Sequence, residues 1–275
     1  MIFTRADHER LNGILVEAAR REVMPRFRKL AAGDIRDKST PGDLVTEADE
    51  AAERLICAEL ARAFPGAVLV GEEATTRDPT LLDRLKDAEL AFVIDPIDGT
   101  LNYASDLPLF AVMAAAIVKG ETVAAAIHDP VIDDTALALR GEGAWLCGPN
   151  GETHDLRVGR TVPPLLAMSG MVGWAYFPEP LRSTIPARFP QFGQVSSLRC
   201  CGQEYRLAAR GNCDFLLYGT LNPWDHAPGA LLYNEAGGHA RMLDGSDYRP
   251  GLPSTGLLCA PESESWRQIV SILAM

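Results

Sequence analysis

Ile94-Asp95-Pro96-Ile97-Asp98-Gly99-Thr100-Leu101-Asn102-Tyr103 is the stretch on which the reading of this chain turns. It closes an apolar β-type run at 91–94. Two aspartates three residues apart, straddling a proline at a strand end, can direct both carboxylates to one side of a tight turn. Gly99 then opens dihedrals that other residues avoid and lets a ligand approach the backbone. With a helix beginning near Thr100, its free amides face the same point. Carboxylates that hold a hard cation and amides that hold an anion suit a metal ion together with a phosphate. The same residues also read as an Asp-rich turn with a helix cap, because Asp-Gly and Asp-Pro pairs are common loop punctuation. Spacing alone leaves both readings open.

Working outward, a second β-type run at 67–70 stops at Glu72-Glu73, so acids again sit at a strand end, where α/β proteins place ligands. Leu11, Ile14, Leu15, Ala18 and Ala19 recur at helical spacing, with Pro25 as a late kink or stop, and a loop follows over 33–42. Another helix starts after Thr46, carries Ala52, Leu55, Ile56, Leu60 and Ala63 as its apolar stripe, and ends at Pro65-Gly66. The runs 111–118 and 123–128 read as adjacent core strands, and Gly141-Glu142-Gly143 followed by Ala144-Trp145-Leu146 as a hairpin. The proline-rich stretch Val162 to Pro164 is expected to open a second lobe. A last helix covers 225–236, with Pro228 in its first turn and Gly237-Gly238 as its stop. Helices and strands mix throughout, which implies a layered α/β architecture.

Taken singly, several acids have structural readings. Asp49 lies three residues after Thr46, the spacing of a capping box. Asp225 opens a helix, where aspartate is a favoured N-cap. Glu72 and Glu73 read as solvent-facing, and His226 as a helix-surface histidine.

Composition bounds the function. The 275 residues are 47% hydrophobic and 23% charged, enough for a sizeable core. A net charge of −11 and no basic cluster speak against a nucleic-acid surface. They do not exclude an anionic substrate, because bound divalent cations invert the sign of a carboxylate site. Cys57, Cys147, Cys200, Cys201, Cys213 and Cys259 form no C-x-x-C pair and fit reduced thiols in a cytoplasm. Residues 1–10 lack an apolar signal core, and the longest apolar run, 110–118, is about half of what a bilayer demands. A soluble, cytoplasmic protein with no membrane span is expected. No G-x-S-x-G elbow, P-loop or H-E-x-x-H motif is present, and the histidines show no metal-ligand spacing.

Gly71-Glu72-Glu73, Asp95-Pro96-Ile97-Asp98-Gly99-Thr100-Leu101-Asn102 and Trp224-Asp225 with Glu235-Ala236-Gly237-Gly238 resemble the motifs of the inositol monophosphatase family. Lys38 with Asp43-Leu44-Val45-Thr46 and Asp49 resembles the family's N-terminal motif, so the likeness spans roughly 38–238, in family order. It implies the αβαβα five-layer sandwich of the inositol monophosphatase and fructose-bisphosphatase superfamily: a single domain over 1–275, with lobes of about 1–150 and 151–275. It implies a homodimer, and a magnesium-dependent, lithium-sensitive phosphatase that turns metal-activated water directly on phosphorus, with two or three Mg²⁺ per site. Residue by residue, Glu72, Asp95 and the carbonyl of Ile97 would hold one ion, and Asp95, Asp98 and Asp225 a second. Glu72 would orient waters around a weaker third ion near Lys38. Asp49 and Thr100 would position and deprotonate the water, and the amides of Gly99 and Thr100 would cradle the phosphate. Carboxylates converging without cations would repel one another and shift their pKa values upward, which divalent ions would relieve.

Two departures fall where the alcohol part of the substrate should bind. The family's glutamate six residues before the Trp-Asp pair is Tyr218 here, and its Gly-Ser/Thr-Ala segment is matched by Arg199-Cys200-Cys201-Gly202. Tyr218 would remove an acceptor-only grip on sugar hydroxyls. Arg199 either grips a second anionic group or pairs with a nearby acid. The substrate therefore stays open between an inositol, sugar or polyol phosphate, histidinol phosphate, a fructose bisphosphate and a nucleotide. A regulatory, non-catalytic interaction protein is the remaining alternative.

Overall fold

The computed structural model describes residues 3–38, 44–159, 161–253 and 255–273. Asp43 and residues 39–42 of the loop expected over 33–42 lie outside them. In chain order the described elements are α1 Arg5–Ala18, β1 Ile35–Asp37, β2 Leu44–Thr46, α2 Glu47–Ala63, β3 Val68–Gly71, α3 Glu72–Arg77, β4 Ala91–Asp98, α4 Thr100–Ala104, β5 Ala111–Val118, β6 Glu121–Asp129, β7 Asp134–Leu139, β8 Gly143–Cys147 and β9 Thr153–Asp155. They continue with β10 Ser169–Val172, α5 Leu181–Thr184, β11 Gln194–Ser196, α6 Cys201–Ala209, β12 Phe215–Tyr218, α7 Pro223–Glu235, β13 His239–Met242, β14 Leu257–Ala260 and α8 Ser263–Leu273.

Strands β3 to β9 form a seven-stranded sheet in sequence order, parallel between β3 and β4 and antiparallel elsewhere. A five-stranded sheet runs β11-β10-β12-β14-β13. Alternate residues of the large sheet enter different cores. Phe92, Ile94, Val112 and Ala114 pack under α1 and α2, whose buried stripes are Leu11, Leu15 and Ala18, and Ala48, Ala52, Ile56 and Leu60. Ala111, Met113, Ala125 and Ile127 face α6 and α7, which separate the two sheets. The far face of the small sheet is covered by α8 through Ile269 and Leu273. The result is five layers: helices, sheet, helices, sheet, helix.

This layering explains the sequence patterns. Strands β5 and β6 are runs of alanine and aliphatics because both of their faces are covered. Helix α7 is apolar nearly all round because it is sandwiched. It starts at Pro223, so Pro228 lies in its second turn rather than its first. The helix after it, α8, carries an apolar stripe and was not foreseen as the chain's last.

Candidate active site

The strand expected to stop at Ile94 continues to Asp98. Pro96 cannot donate to the ladder, and pairing with β5 shifts register there: Asp95 lies opposite Met113, but Asp98 lies opposite Ala111. Between these pairs two residues on β4, Pro96 and Ile97, stand against one on β5, Val112, which makes a β-bulge. In a regular strand, residues three apart face opposite ways. The extra residue turns both aspartates to the same face, beside Ala91 and Val93 and toward Trp224 and Ala227 of α7. Asp95 also accepts the Ile97 amide at 3.1 Å, tightening the turn. Gly99 follows at φ 88°, and a Cβ there would sit 3.0 Å from the Leu109 carbonyl, so the turn admits little but glycine. Helix α4 begins next, leaving the amides of Gly99 and Thr100 without intrahelical acceptors.

Asp49 fulfils its structural reading and does more. One carboxylate oxygen closes the capping box of α2, accepting the Thr46 amide at 2.8 Å and the Thr46 hydroxyl. The other accepts the Thr100 hydroxyl at 3.1 Å, and the Ile97 carbonyl lies 3.0 Å from that same hydroxyl. Burial pushes the Asp49 carboxyl up to about 7 against the Thr46 hydrogen bonds, which pull it down.

Glu72 is the first residue of α3. Glu73, expected to face solvent, is buried, because Lys38 Nζ reaches Glu72 at 2.6 Å and Glu73 at 2.7 Å. Burial lowers the Lys38 pKa, but the two glutamates reverse this and hold it above its ordinary value. Burial lifts Glu73 to about 8, with the Glu72 charge adding to it and Lys38 opposing. Glu53, which the sequence reading missed, caps α3 from α2 by accepting the amides of Glu73 at 2.7 Å and Ala74 at 2.9 Å. Its spacing belongs to α2, so no local signal tied it to α3.

Asp225 is the third residue of α7; the cap position belongs to Asn222, because Pro223 takes the first helical site. Asn222 Nδ2 donates to the Asp225 carboxylate at 3.1 Å. Asp225 and Asp95 are hydrogen-bonded to each other, and each is driven well above the usual carboxylate range by burial, then by the charges of Glu72 and Asp98. Asp98 is also raised by burial, though Cys200, Gly202 and Cys201 donate to it and lower it.

Glu72, Asp95, Ile97, Asp98, Gly99, Thr100 and Asp225 line one cleft of about 540 Å³, with Asp49 held behind Thr100. The cleft meets the chemistry expected for Mg²⁺: hard oxygen donors, and buried carboxyls that cannot all ionise without cations. The thiols of Cys200 and Cys201 donate to Asp98 rather than standing as thiolates. As the side chains stand, no group of three or more His, Cys, Asp or Glu among the described residues is arranged to hold a metal ion.

The substrate side differs from expectation in three places. Tyr218 donates its hydroxyl to Glu204 at 2.8 Å. Glu204, also missed, is buried, receives the Leu198 amide at 2.7 Å and the Ser197 hydroxyl at 3.1 Å, and burial pushes it up to about 7. His226 is not on a helix surface. It is buried against Tyr218 (ring centroids 4.6 Å apart), meets the Tyr205 hydroxyl at 3.1 Å and the Thr220 backbone, and burial holds it down near 3. The middle-layer position of α7 leaves it no exposed face at that turn. Arg199 lines the cleft at φ 56° and has no ion-pair partner among the described residues.

Comparison with known proteins places the chain in a family. The family model described as "Inositol monophosphatase family" matches residues 8–274. The Nus factor SuhB of Escherichia coli is 32% identical over 253 residues, spanning 87% of this chain and 90% of that protein. An inositol-1-monophosphatase of Mesorhizobium japonicum is 32% identical over 214 residues, 74% of each chain. The solved structure of an IMPase from Thermotoga maritima superposes with a TM-score of 0.80 at 23% identity, covering 98% of this chain and 96% of that one. With its fold, its acidic cleft and a family match that spans nearly its whole length, this chain belongs to the inositol monophosphatase family of phosphomonoesterases.

Proposed function

We propose that the protein is a magnesium-dependent phosphatase that hydrolyses a small phosphomonoester by direct attack of water on phosphorus. The observation that carries this reading is the meeting, in one cleft, of Glu72, Asp95, Asp98 and Asp225 with the Asp49–Thr100 pair. Glu72, Asp95, Asp98, Asp225 and the Ile97 carbonyl are the groups that would hold the metal. Bound Mg²⁺ would neutralise these acids, polarise the phosphoryl oxygens and make water a better nucleophile at neutral pH.

The chain's own residues divide the remaining work. The Thr100 hydroxyl, already directed at Asp49, accepts a proton from water and relays its own to the Asp49 carboxylate. A carboxyl near 7 is suited to that exchange. The amides of Gly99 and Thr100 hold phosphoryl oxygens. No covalent nucleophile is needed. Burial raises the thiols of Cys200 and Cys201 well above their ordinary range, which keeps them protonated and inert.

The relatives include an inositol-1-monophosphatase, a fructose-1,6-bisphosphatase/inositol-1-monophosphatase and a Nus factor. The intact acid set, with Thr100 behind it, favours catalysis here, since a binding module has no use for a water-directing hydroxyl. Small phosphorylated metabolites are the proposed partners, in a cytoplasmic homodimer. Supporting the compartment, the six cysteines are unpaired thiols. No helix among the described residues is long and apolar enough to cross a membrane.

The test is phosphate release from a panel of phosphomonoesters with and without Mg²⁺, for the wild type and Asp95→Asn. Magnesium-dependent turnover lost in the variant, together with inhibition by tens of millimolar Li⁺, is expected. A folded wild type that binds Mg²⁺ yet releases no phosphate would transfer the reading to a regulatory protein.

A further inference from the structure

The wall facing the acids has already used its own hydrogen-bonding groups. Where the family places a free carboxylate, the Tyr218 hydroxyl is committed to Glu204. Glu204 is buried and also occupied by Leu198 and Ser197. The neighbouring His226 has one ring nitrogen on Tyr205 and also bonds the Thr220 backbone. This wall presents aromatic faces and filled acceptors. Its one carboxylate, Glu204, already accepts from Tyr218, Leu198 and Ser197, which leaves the hydroxyls of a neutral polyol little to grip.

One group on this side of the cleft remains uncommitted. Arg199 is the one Lys or Arg among the described residues lining the cleft, and its guanidinium has neither a hydrogen bond nor an ion pair among them. Lys38 is taken up by Glu72 and Glu73. The Arg199 backbone sits at φ 56°, a left-handed conformation that disfavours any side chain, so glycine would be the easier residue. Yet the segment around it is pinned on both sides. Glu204 holds the Leu198 amide, Asn102 Nδ2 holds the Leu198 carbonyl at 2.7 Å, and the Arg199 amide bonds the Ser197 hydroxyl at 3.2 Å. Beyond it, Asp98 holds the amides of Cys201 at 3.2 Å and Gly202 at 2.6 Å. The surroundings thus maintain a disfavoured backbone that carries an unpaired cation at the rim of an acidic cleft, in the same cleft as the acids that would hold the metal and the Gly99 and Thr100 amides that would hold the scissile phosphate.

We infer that Arg199 receives a second anionic group of the substrate, a phosphate or carboxylate on the alcohol portion, and that the enzyme selects doubly anionic phosphate esters over neutral polyol monophosphates. This rests on the phosphatase reading above and narrows its substrate class. Electrostatics favours it: a guanidinium forks onto phosphate or carboxylate through two parallel hydrogen bonds, whereas a neutral hydroxyl gains little from it. By the same logic it repels cationic tails, which places histidinol phosphate among the poor substrates. Glu204 acts as a positioning residue, setting both Tyr218 and the Arg199 segment.

The experiment compares three esters of similar length under saturating Mg²⁺: sorbitol phosphate, whose tail is neutral; phosphogluconate, whose tail ends in a carboxylate; and fructose bisphosphate. p-Nitrophenyl phosphate serves as the reference ester. Wild type is measured against Arg199→Gly, which relieves the left-handed strain and is expected to melt no lower, and against Arg199→Lys. The wild type should prefer an anionic tail. In Arg199→Gly, kcat/KM for that ester relative to sorbitol phosphate should fall by about 10- to 100-fold, mostly through KM, with partial retention in Arg199→Lys. Which anionic ester loses more identifies phosphate or carboxylate as the group held. Equal losses on all three esters, or a wild-type preference for sorbitol phosphate, would overturn the inference while leaving the phosphatase reading intact. No turnover of any ester, the reference included, would overturn both.

Discussion

At the scale of single residues, Thr100 is where structure and chemistry divide most cleanly. Its hydroxyl touches Asp49 and the Ile97 carbonyl, while its backbone opens α4. Thr100→Val keeps the shape and removes only the hydroxyl. It should lower kcat by about 10²- to 10⁴-fold, the range of a lost proton-transfer group, with KM little changed. An unaltered kcat would remove Thr100 from the proton path. The residues differ in how legible they were. Asp95 and Asp98 announced themselves through Pro96 and Gly99. Asp49 and Asp225 each had a sufficient local reading as helix caps; Asp49 is a capping-box residue and also reaches Thr100, whereas Asp225 yields the cap to Asn222. Glu204 could not be singled out and His226 reads from sequence as a helix-surface histidine, since their partners, Leu198, Tyr218, Tyr205 and Thr220, meet them only in the folded chain.

At the scale of elements, the site is assembled by irregularities. The bulge in β4 puts two aspartates on one face, and the short helices α3 and α4 present Glu72 and Thr100 from their first turns. Helix α3 is too short to hold itself, and Glu53 on α2 anchors it through the amides of Glu73 and Ala74. Glu53→Gln replaces a charge-assisted cap by a weaker one and brings an amide donor against backbone donors. Urea unfolding should show a loss of about 2 kcal/mol, the scale of a hydrogen bond to a charged group. An unchanged midpoint would mean that α3 is held by its packing alone.

At the scale of the whole molecule, two buried groups on different elements make stability respond to pH in opposite directions. Glu204 titrates near 7 in the fold against an ordinary 4.5, chiefly through burial. Raised in this way, it contributes stability that is complete below 4.5 and lost as pH rises through about 7. His128, on β6, is held near 4 against an ordinary 6.5, burial again leading and Asp133 opposing. Depressed in this way, it contributes stability present above 6.5 and lost as pH falls through about 4. Over the shared window the slopes offset, so single variants should separate them. Asp49, Glu73 and His226 titrate in both variants as well, so the comparison is with the wild type: in metal-free protein His128→Asn should tilt the profile toward weakening as pH rises, and Glu204→Gln toward weakening as pH falls, each by roughly 3 kcal/mol across its window. Parallel pH profiles for the two variants would show that neither group governs the response.

The sequence by itself determined the elements with strong periodicity and the class of chemistry. The stripes of α1 and α2, the alanine-rich strands β5 and β6, and the spaced acids of β4 are local patterns, because helix and strand periods and turn chemistry act within a few residues. The tertiary structure decided what those patterns face. It turned Asp95 and Asp98 to one side through a bulge that shows only in the pairing of β4 with β5. It buried His226 by placing α7 between two sheets, and it engaged Tyr218 with Glu204, fourteen residues apart in sequence. It also left the Arg199 guanidinium unpaired among the described residues at the rim of the cleft. Each depends on contacts between distant segments, which no local pattern of residues encodes.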